Sequence, residues 1–262
     1  MAFNEMASVN GAIGSTADAT VSLKDDGLYR GDGAFEVIML YAGEPFALGE
    51  HIDRLGRSAQ TIELEFDRAA LEAEIAALLD AFGPQDSLLR LIVTRGGMRI
   101  ATTEPVPEHA PSISLATVAY SPTVILNGVK AISYAANMQA TRVAKAQGAD
   151  EAILVTPQEI VLEAPTSTLF WVSSEALRTT ALDAGVLDSI TRDRIVAALD
   201  VEEGEWPLGD LRVASEAFLA STTREVQAVS SIDGKSLAEV PGPRTEEAAA
   251  AFKAALEREL SR

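Results

Sequence analysis

Short apolar runs and amphipathic helical segments alternate along this chain. The runs, rich in β-branched and aromatic residues and bounded by turn residues, predict strands at 34–41, 45–48, 87–94, 113–119, 151–155, 160–163, 169–172, 217–220 and 225–232. Apolar residues at helical spacing predict helices at 51–64, 68–82, 135–147, 188–199 and 245–260. Asn10-Gly11 and Asp233-Gly234 are hairpin signals. This mixture predicts an α/β protein.

The predicted elements form two groups on either side of residues 121–128. Ser121-Pro122 and Asn127-Gly128 are turn residues, so we place the domain boundary there. We expect a smaller N-terminal α/β domain over 1–120, an interdomain linker over 121–128 and a larger C-terminal domain over 129–262. Residues 101–111 contain three prolines and are predicted to be a loop.

Composition excludes several classes of function. The formal net charge of -18 argues against nucleic acid and anionic membranes as partners. No cysteine is present, which fits a reducing, cytoplasmic location, and no secretory signal or membrane span is recognisable. With two histidines and no cysteine, we expect no metal site.

Lys130 is the first candidate for chemistry. It is the one charged residue in the run from Gly128 to Met138, between the predicted linker and a helix. A lysine amine becomes a nucleophile or forms a Schiff base when its surroundings make the charged form costly. The alternative is a lysine that extends from a strand end to solvent.

Anion binding has three candidate contributors. The helix that opens at Ser189-Ile190-Thr191 offers free backbone N–H groups and a positive dipole end. Thr222 lies in a hydroxyl-rich turn, and the Arg54 guanidinium could pair with a phosphate. Taken singly, each has a structural alternative: Thr191 as a helix cap, Thr222 as a turn residue and Arg54 as a surface arginine.

Glu163 ends an apolar strand and is followed by Ala164-Pro165. A carboxylate there is either solvated or paired with a buried cation.

Taken together and in order, these features resemble the fold-type IV family of pyridoxal-phosphate enzymes. The family includes branched-chain aminotransferases, D-amino-acid transaminases, R-selective amine transaminases and aminodeoxychorismate lyases. The resemblance covers nearly the whole chain. It rests on Gly31-Asp-Gly-Ala-Phe-Glu36, Glu50-His-Ile-Asp-Arg-Leu55 with Ser58-Ala59, Val93-Thr-Arg-Gly96, Gly148-Ala-Asp-Glu-Ala-Ile-Leu154, Val161-Leu-Glu163, Ser189-Ile-Thr-Arg192 and Ser221-Thr-Thr-Arg-Glu225.

The resemblance implies a role for each matching residue. Lys130 would form the internal aldimine with pyridoxal 5'-phosphate, and Glu163 would face the pyridine nitrogen. The implied phosphate ligands are Arg54, Ile190, Thr191 and Thr222, and Tyr134 is similar to a tyrosine that contacts the phenolic oxygen. Phe35, Arg30 and Arg99 are the implied substrate contacts, with the two arginines as candidates for the substrate carboxylate.

The implied function is a pyridoxal-phosphate aminotransferase that moves an amino group between a small amino acid or amine and a keto acid. The cofactor would lie in the cleft between two α/β domains, and the enzyme would be at least a homodimer. The alternative within the family is aminodeoxychorismate lyase. From a different class, the chain could be a non-catalytic anion-binding protein. Residue 101 is alanine, so the carboxylate-binding Arg-x-His of D-amino-acid enzymes is not reproduced.

Overall fold

A computed structural model describes residues 3–261 of the protein. The chain divides into two compact units. The first consists of the chain up to Pro107 together with Val129–Tyr134, and the second consists of Glu108–Gly128 and the chain from Ala135 onward. Each unit contains its own β-sheet, and both carry helices, so the predicted α/β class is confirmed.

A six-stranded antiparallel sheet forms the centre of the first unit. Its strands are β1 (Met6–Val9), β2 (Ala12–Ser15), β3 (Gly33–Tyr41), β4 (Glu44–Pro45), β5 (Ser87–Thr94) and β6 (Arg99–Glu104). Their order is β2-β1-β6-β5-β3-β4. Asn10 and Gly11 both have positive φ angles, 49° and 85°, at the turn between β1 and β2, which confirms the predicted hairpin.

Three helices belong to the first unit. They are α1 (Asp26–Arg30), α2 (Leu48–Thr61) and α3 (Arg68–Phe82). The apolar face of α2, with Ile52, Leu55 and Ala59, is buried in one core cluster with α3 and strands β3 and β5. This packing is what fixes the polar residues of α2 beside β3.

The second unit is built on an eight-stranded mixed sheet. Its strands are β7 (Ser112–Ala119), β8 (Glu151–Val155), β9 (Thr168–Ser173), β10 (Ala176–Thr180), β11 (Glu202–Gly204), β12 (Glu216–Ser221), β13 (Glu225–Ile232) and β14 (Lys235–Ser236). The order is β11-β10-β9-β12-β13-β7-β8, with β14 on β13. The pairs β7–β8, β7–β13 and β10–β11 are parallel.

Four helices accompany this sheet. They are α4 (Ala135–Ala146), α5 (Ile190–Ala198), α6 (Leu208–Leu211) and α7 (Pro243–Leu260). Ser189 caps α5, because its hydroxyl accepts the Arg192 backbone N–H. Within residues 3–261, no helix is both long and apolar enough to cross a membrane.

The division into units differs from the predicted boundary in two places. Strand β7 was expected in the N-terminal domain, but it pairs with β8 and β13 of the second sheet. Residues 129–134 were expected in the C-terminal domain, but Ala131 pairs with Ala34 of β3. Residues 121–128 do lie outside the strands and α-helices, as predicted. However, backbone pairing with distant strands decides which unit each flanking segment joins.

Three local predictions are also corrected. Part of the expected loop 101–111 is strand β6, because hydrogen bonds to β1 and β5 hold it. The expected strand 45–48 is reduced to Glu44–Pro45, and α2 already begins at Leu48. The expected strand 160–163 makes isolated bridges through Ile160 and Val161 rather than a continuous ladder.

Candidate active site

A buried polar cluster lies between β3 and α2 in the first unit. Glu36 on β3 and His51 and Arg54 on α2 are all buried. Arg54 donates from Nε to Glu36 Oε1 at 2.7 Å and from Nη2 to Glu36 Oε2 at 2.6 Å. His51 Nδ1 lies 2.8 Å from Glu36 Oε2. Because His51 and Arg54 are three residues apart, one face of α2 presents both to the same carboxylate.

The protonation states of this cluster follow from burial and pairing. Burial alone raises the pKa of the Glu36 carboxyl, but hydrogen bonds from Arg54 and His51 outweigh it and lower that pKa to about 2. Burial lowers the pKa of His51 more than its bond to Glu36 raises it. At neutral pH the cluster therefore holds one carboxylate, one guanidinium and a neutral imidazole that donates from Nδ1.

Lys130 is held against β3 by backbone hydrogen bonds. Its carbonyl accepts the Phe35 N–H at 3.0 Å, and its own N–H donates to Ser58 Oγ at 3.1 Å. The Nζ atom lies 4.5 Å from the centre of the Phe35 ring and 5.8 Å from that of Tyr134. The two rings meet edge to face at 5.2 Å. Hydrogen bonds thus fix the backbone of residue 130, and two aromatic rings lie beside its amine.

Glu163 is placed in the second unit by a segment that follows β8. Its carbonyl accepts the Leu154 N–H at 2.9 Å, and its Oε1 accepts the Leu187 N–H at 3.1 Å. Burial and the charge of Glu163 both raise the pKa of Tyr120, so the phenol lies near this carboxylate. Leu187 precedes α5 by three residues, so Glu163 is tied to the loop that leads into that helix.

The predicted phosphate ligands of the second unit lie at the start of α5 and in the turn after β12. Ile190 and Thr191 are buried at the first two positions of α5, and their backbone N–H groups have no acceptor among residues 3–261. Thr222 lies in the partly exposed turn that joins β12 to β13. Two free N–H groups and a positive helix end form a site suited to phosphate.

The two predicted substrate arginines have different surroundings. Arg30 ends α1 with 71% of its side chain exposed and pairs with Asp26. Arg99 is 21% exposed and donates from Nε and Nη2 to the Glu74 carboxylate, the shortest bond being 2.7 Å. Both arginines are therefore paired with a carboxylate, but Arg30 is accessible to an incoming anion, whereas Arg99 is largely buried.

The structure thus brings the predicted site residues into two groups. Arg54, Lys130, Phe35 and Tyr134 belong to the first unit, and Glu163, Ile190, Thr191 and Thr222 to the second. Sequence reasoning missed Glu36 and Ser58 as partners of Arg54 and Lys130. The three-residue spacing of His51 and Arg54 places both on one face of α2, and this spacing could have indicated a pair of buried polar side chains.

Comparisons with known proteins identify the family and the fold. The profile of the family "Amino-transferase class IV" matches residues 33–232. The chain is 31% identical over 263 residues to a D-alanine aminotransferase of Listeria monocytogenes serotype 4b, covering 88% of this chain and 89% of the relative. It is 32% identical over 252 residues to a putative branched-chain-amino-acid aminotransferase of Methanocaldococcus jannaschii, covering 87% and 88%. The PLP-bound structure of a hypothetical aminotransferase from Mycobacterium tuberculosis superposes with a TM-score of 0.86 at 25% identity, covering 97% and 99%.

The chain therefore belongs to the class IV aminotransferases and is a pyridoxal-phosphate-dependent transaminase of fold type IV.

The residues present fit this cofactor. Phosphate requires N–H and hydroxyl donors, which the start of α5 and the Thr222 turn offer within the second unit. Within residues 3–261, no group of three or more His, Cys, Asp or Glu side chains could hold a metal ion.

Proposed function

We propose that this enzyme transfers an amino group between a small amino acid or amine and a keto acid, with Lys130 as the catalytic residue. The observation that carries the proposal is the fixed position of Lys130: hydrogen bonds of its backbone to Phe35 N–H and Ser58 Oγ hold the residue, and the rings of Phe35 and Tyr134 lie beside its amine. A lysine amine that has released its proton can act as a nucleophile and as a base.

Each candidate residue has a distinct task in this proposal. Bound pyridoxal phosphate supplies a carbonyl carbon and a ring that accepts electrons. The Lys130 amine would attach to the cofactor and would move the proton at the substrate carbon. The Glu163 carboxylate would keep the pyridine nitrogen protonated. Ile190, Thr191, Thr222 and Arg54 would hold the phosphate, and Tyr134 would contact the phenolic oxygen.

A spectral half-reaction screen tests the proposal. The enzyme saturated with pyridoxal phosphate is mixed with L-amino acids, D-amino acids and chiral amines, and the loss of the visible cofactor band is followed. We expect at least one substrate class to convert the band in a single turnover. A protein that binds no cofactor, or whose band no amino donor changes, contradicts it.

Glu163→Gln is expected to retain the cofactor but to slow proton transfer by about a hundredfold. A neutral amide cannot hold the positive charge of a protonated ring nitrogen, although it can still accept the Leu187 N–H. Single-turnover kinetics measure the effect. The control is Glu159→Gln, the same change at an exposed turn position. Equal rates in wild type and Glu163→Gln would remove Glu163 from the mechanism.

Arg30→Ala is expected to raise KM about tenfold for an amino acid while leaving KM for the matching amine unchanged. The exposed guanidinium can pair with the substrate carboxylate, which the amine lacks. Arg68→Ala is the control, because Arg68 is also exposed and ion-paired in the same unit. A KM that rises equally for both substrates contradicts the assignment. Arg99→Ala is expected to have the smaller effect, since recruiting Arg99 requires breaking its bonds to Glu74.

Elimination of pyruvate, the aminodeoxychorismate lyase reaction, is the weaker alternative. Both relatives described above are aminotransferases, and the lyase relative is less similar than either. Release of pyruvate from aminodeoxychorismate without a keto acceptor would identify the lyase.

We further propose a cytoplasmic homodimer. The absence of cysteine fits a reducing compartment. The family resemblance supports a dimer, and exposed Leu28 and Tyr29 on α1 offer apolar surface for one. Light scattering on the purified protein measures the mass directly.

A further inference from the structure

Arg224 carries a largely buried charge that the proposed mechanism does not use. It lies in the turn between β12 and β13, two residues after Thr222, and only 12% of its side chain is exposed. Its backbone N–H donates to Ser221 Oγ at 3.3 Å, so the same turn holds both Thr222 and Arg224.

The Arg224 guanidinium has a hydrogen-bond partner at Nη1. Nη1 donates to Gln227 Oε1 and lies 3.5 Å from His109 Nδ1. Nη2 lies 3.6 Å from Glu151 Oε2, beyond hydrogen-bond distance. Among residues 3–261, neither Nε nor Nη2 has a hydrogen-bond acceptor. The Nε–Nη2 edge is the edge that a carboxylate or phosphate occupies when it binds arginine through two parallel bonds.

Arg194 of the second unit shows the same edge filled. It donates from Nε and Nη2 to the two oxygens of Glu259. Among residues 3–261, Arg224 has no carboxylate bound in this way.

The charge of Arg224 is incompletely compensated. Glu151, the nearest carboxylate, uses Oε1 to accept the Thr141 hydroxyl at 2.5 Å and the Ala152 N–H at 3.0 Å. Burial lowers the pKa of Arg224 more than the charge of Glu151 raises it. The ion pair with Glu151 at 3.6 Å contains no direct hydrogen bond, so an anion bonded to the guanidinium would further favour its charged form.

The orientation of the guanidinium is fixed before any ligand arrives. Gln227 is buried, and its Nε2 donates to the Ala110 carbonyl at 2.7 Å, which aims its Oε1 at Arg224. A donor group fixed in advance loses little side-chain entropy on binding.

We propose that the Nε–Nη2 edge of Arg224 binds an oxyanion of the reaction. This inference rests on the proposed transaminase function. Two groups of the same chemistry are available: a carboxylate of the amino-acid or keto-acid substrate, and the phosphate of the cofactor that Thr222 is proposed to hold. Both match the planar fork of arginine, which lysine does not reproduce.

The test uses the holoenzyme and the variant Arg224→Gln. Arg194→Gln is the matched control, because it makes the same change where Glu259 fills the same edge. Three quantities are measured: the thermal midpoint, the dissociation constants of pyridoxal phosphate and of pyridoxal, and half-reaction rate constants for an amino acid and for the amine of the same skeleton. Arg224→Lys keeps the charge without the fork and is measured in parallel, in case Arg224→Gln does not fold.

If the edge binds a substrate carboxylate, the rate constant for the amino acid is expected to be at least tenfold lower in Arg224→Gln. The rate constant for the amine and the affinity for the cofactor are expected to be unchanged. If the edge binds the cofactor phosphate, Arg224→Gln is expected to raise the dissociation constant of pyridoxal phosphate at least tenfold and to leave that of pyridoxal unchanged. Arg224→Lys is expected to show a smaller change of the same kind.

A structural role alone overturns the proposal. If Arg224 is only structural, Arg224→Gln lowers the thermal midpoint. The ratio of the amino-acid rate to the amine rate then stays as in wild type, and so does the ratio of the two cofactor dissociation constants. Half-reaction rates of the wild-type enzyme distinguish a wrong role for Arg224 from a wrong proposed function. If wild type reacts with no amino donor, the function itself is wrong.

Discussion

Lys130→Ala is expected to remove the visible absorbance of bound cofactor and to slow transamination by about a thousandfold. The change deletes the amine that we propose to attach to the cofactor and to move the substrate proton. It keeps the backbone bonds of residue 130 to Phe35 and Ser58, so the protein is expected to stay folded. Absorbance spectra and single-turnover kinetics measure the loss, and circular dichroism checks the fold.

Lys145→Ala is the matched control for this change. Lys145 lies on α4 and is exposed, so its removal should leave both the spectrum and the rate unchanged. Partial recovery of Lys130→Ala by added methylamine would support a chemical role of the missing amine. Wild-type turnover by Lys130→Ala would show that another group carries the reaction.

Glu36→Gln is expected to lower the free energy of unfolding by about 3–5 kcal/mol, because it leaves the Arg54 guanidinium buried without its carboxylate. Urea unfolding of the cofactor-free protein measures this loss without the stabilisation that a bound ligand adds. The double variant Glu36→Gln/Arg54→Met should lose less, since neither charge remains. Equal losses in the single and double variants would contradict this account of the pair.

The partly exposed pair of Arg90 and Glu104 is the control for burial. Both side chains are about a third exposed, so Glu104→Gln is expected to cost less than about 1 kcal/mol. A comparable loss at both sites would mean that the Glu36 cluster contributes no more than a surface ion pair.

The contribution of Glu36 should also depend on pH. Its pKa falls from 4.5 to about 2 on folding, so its stabilisation is present above pH 4.5 and is lost as the pH falls towards 2. The shift corresponds to about 3 kcal/mol. The difference in unfolding free energy between wild type and Glu36→Gln should therefore shrink below pH 4.5. A difference that is constant from pH 6 to pH 3 would contradict the assigned carboxylate.

The amino-acid sequence by itself determined much of the local structure and the family. Helix α3 and strands β5, β8 and β13 have the predicted bounds, because each is set by a periodicity and by turn residues within its own segment. The order of motifs from Gly31 to Glu225 indicated a pyridoxal-phosphate aminotransferase, which the family match confirms. The roles given to Lys130, Glu163 and the phosphate ligands remain proposals.

Only the tertiary structure decided which side chains meet. Glu36 pairs with residues 15 and 18 positions further along the chain, and Arg99 with Glu74, 25 positions earlier. Lys130 bonds Ser58 across 72 positions, and β7 joins the second sheet through β8 and β13. The sequence shows the polarity and charge of each residue. Partners this far apart are chosen by the packing of a helix on a sheet and by strand order, which no local pattern encodes.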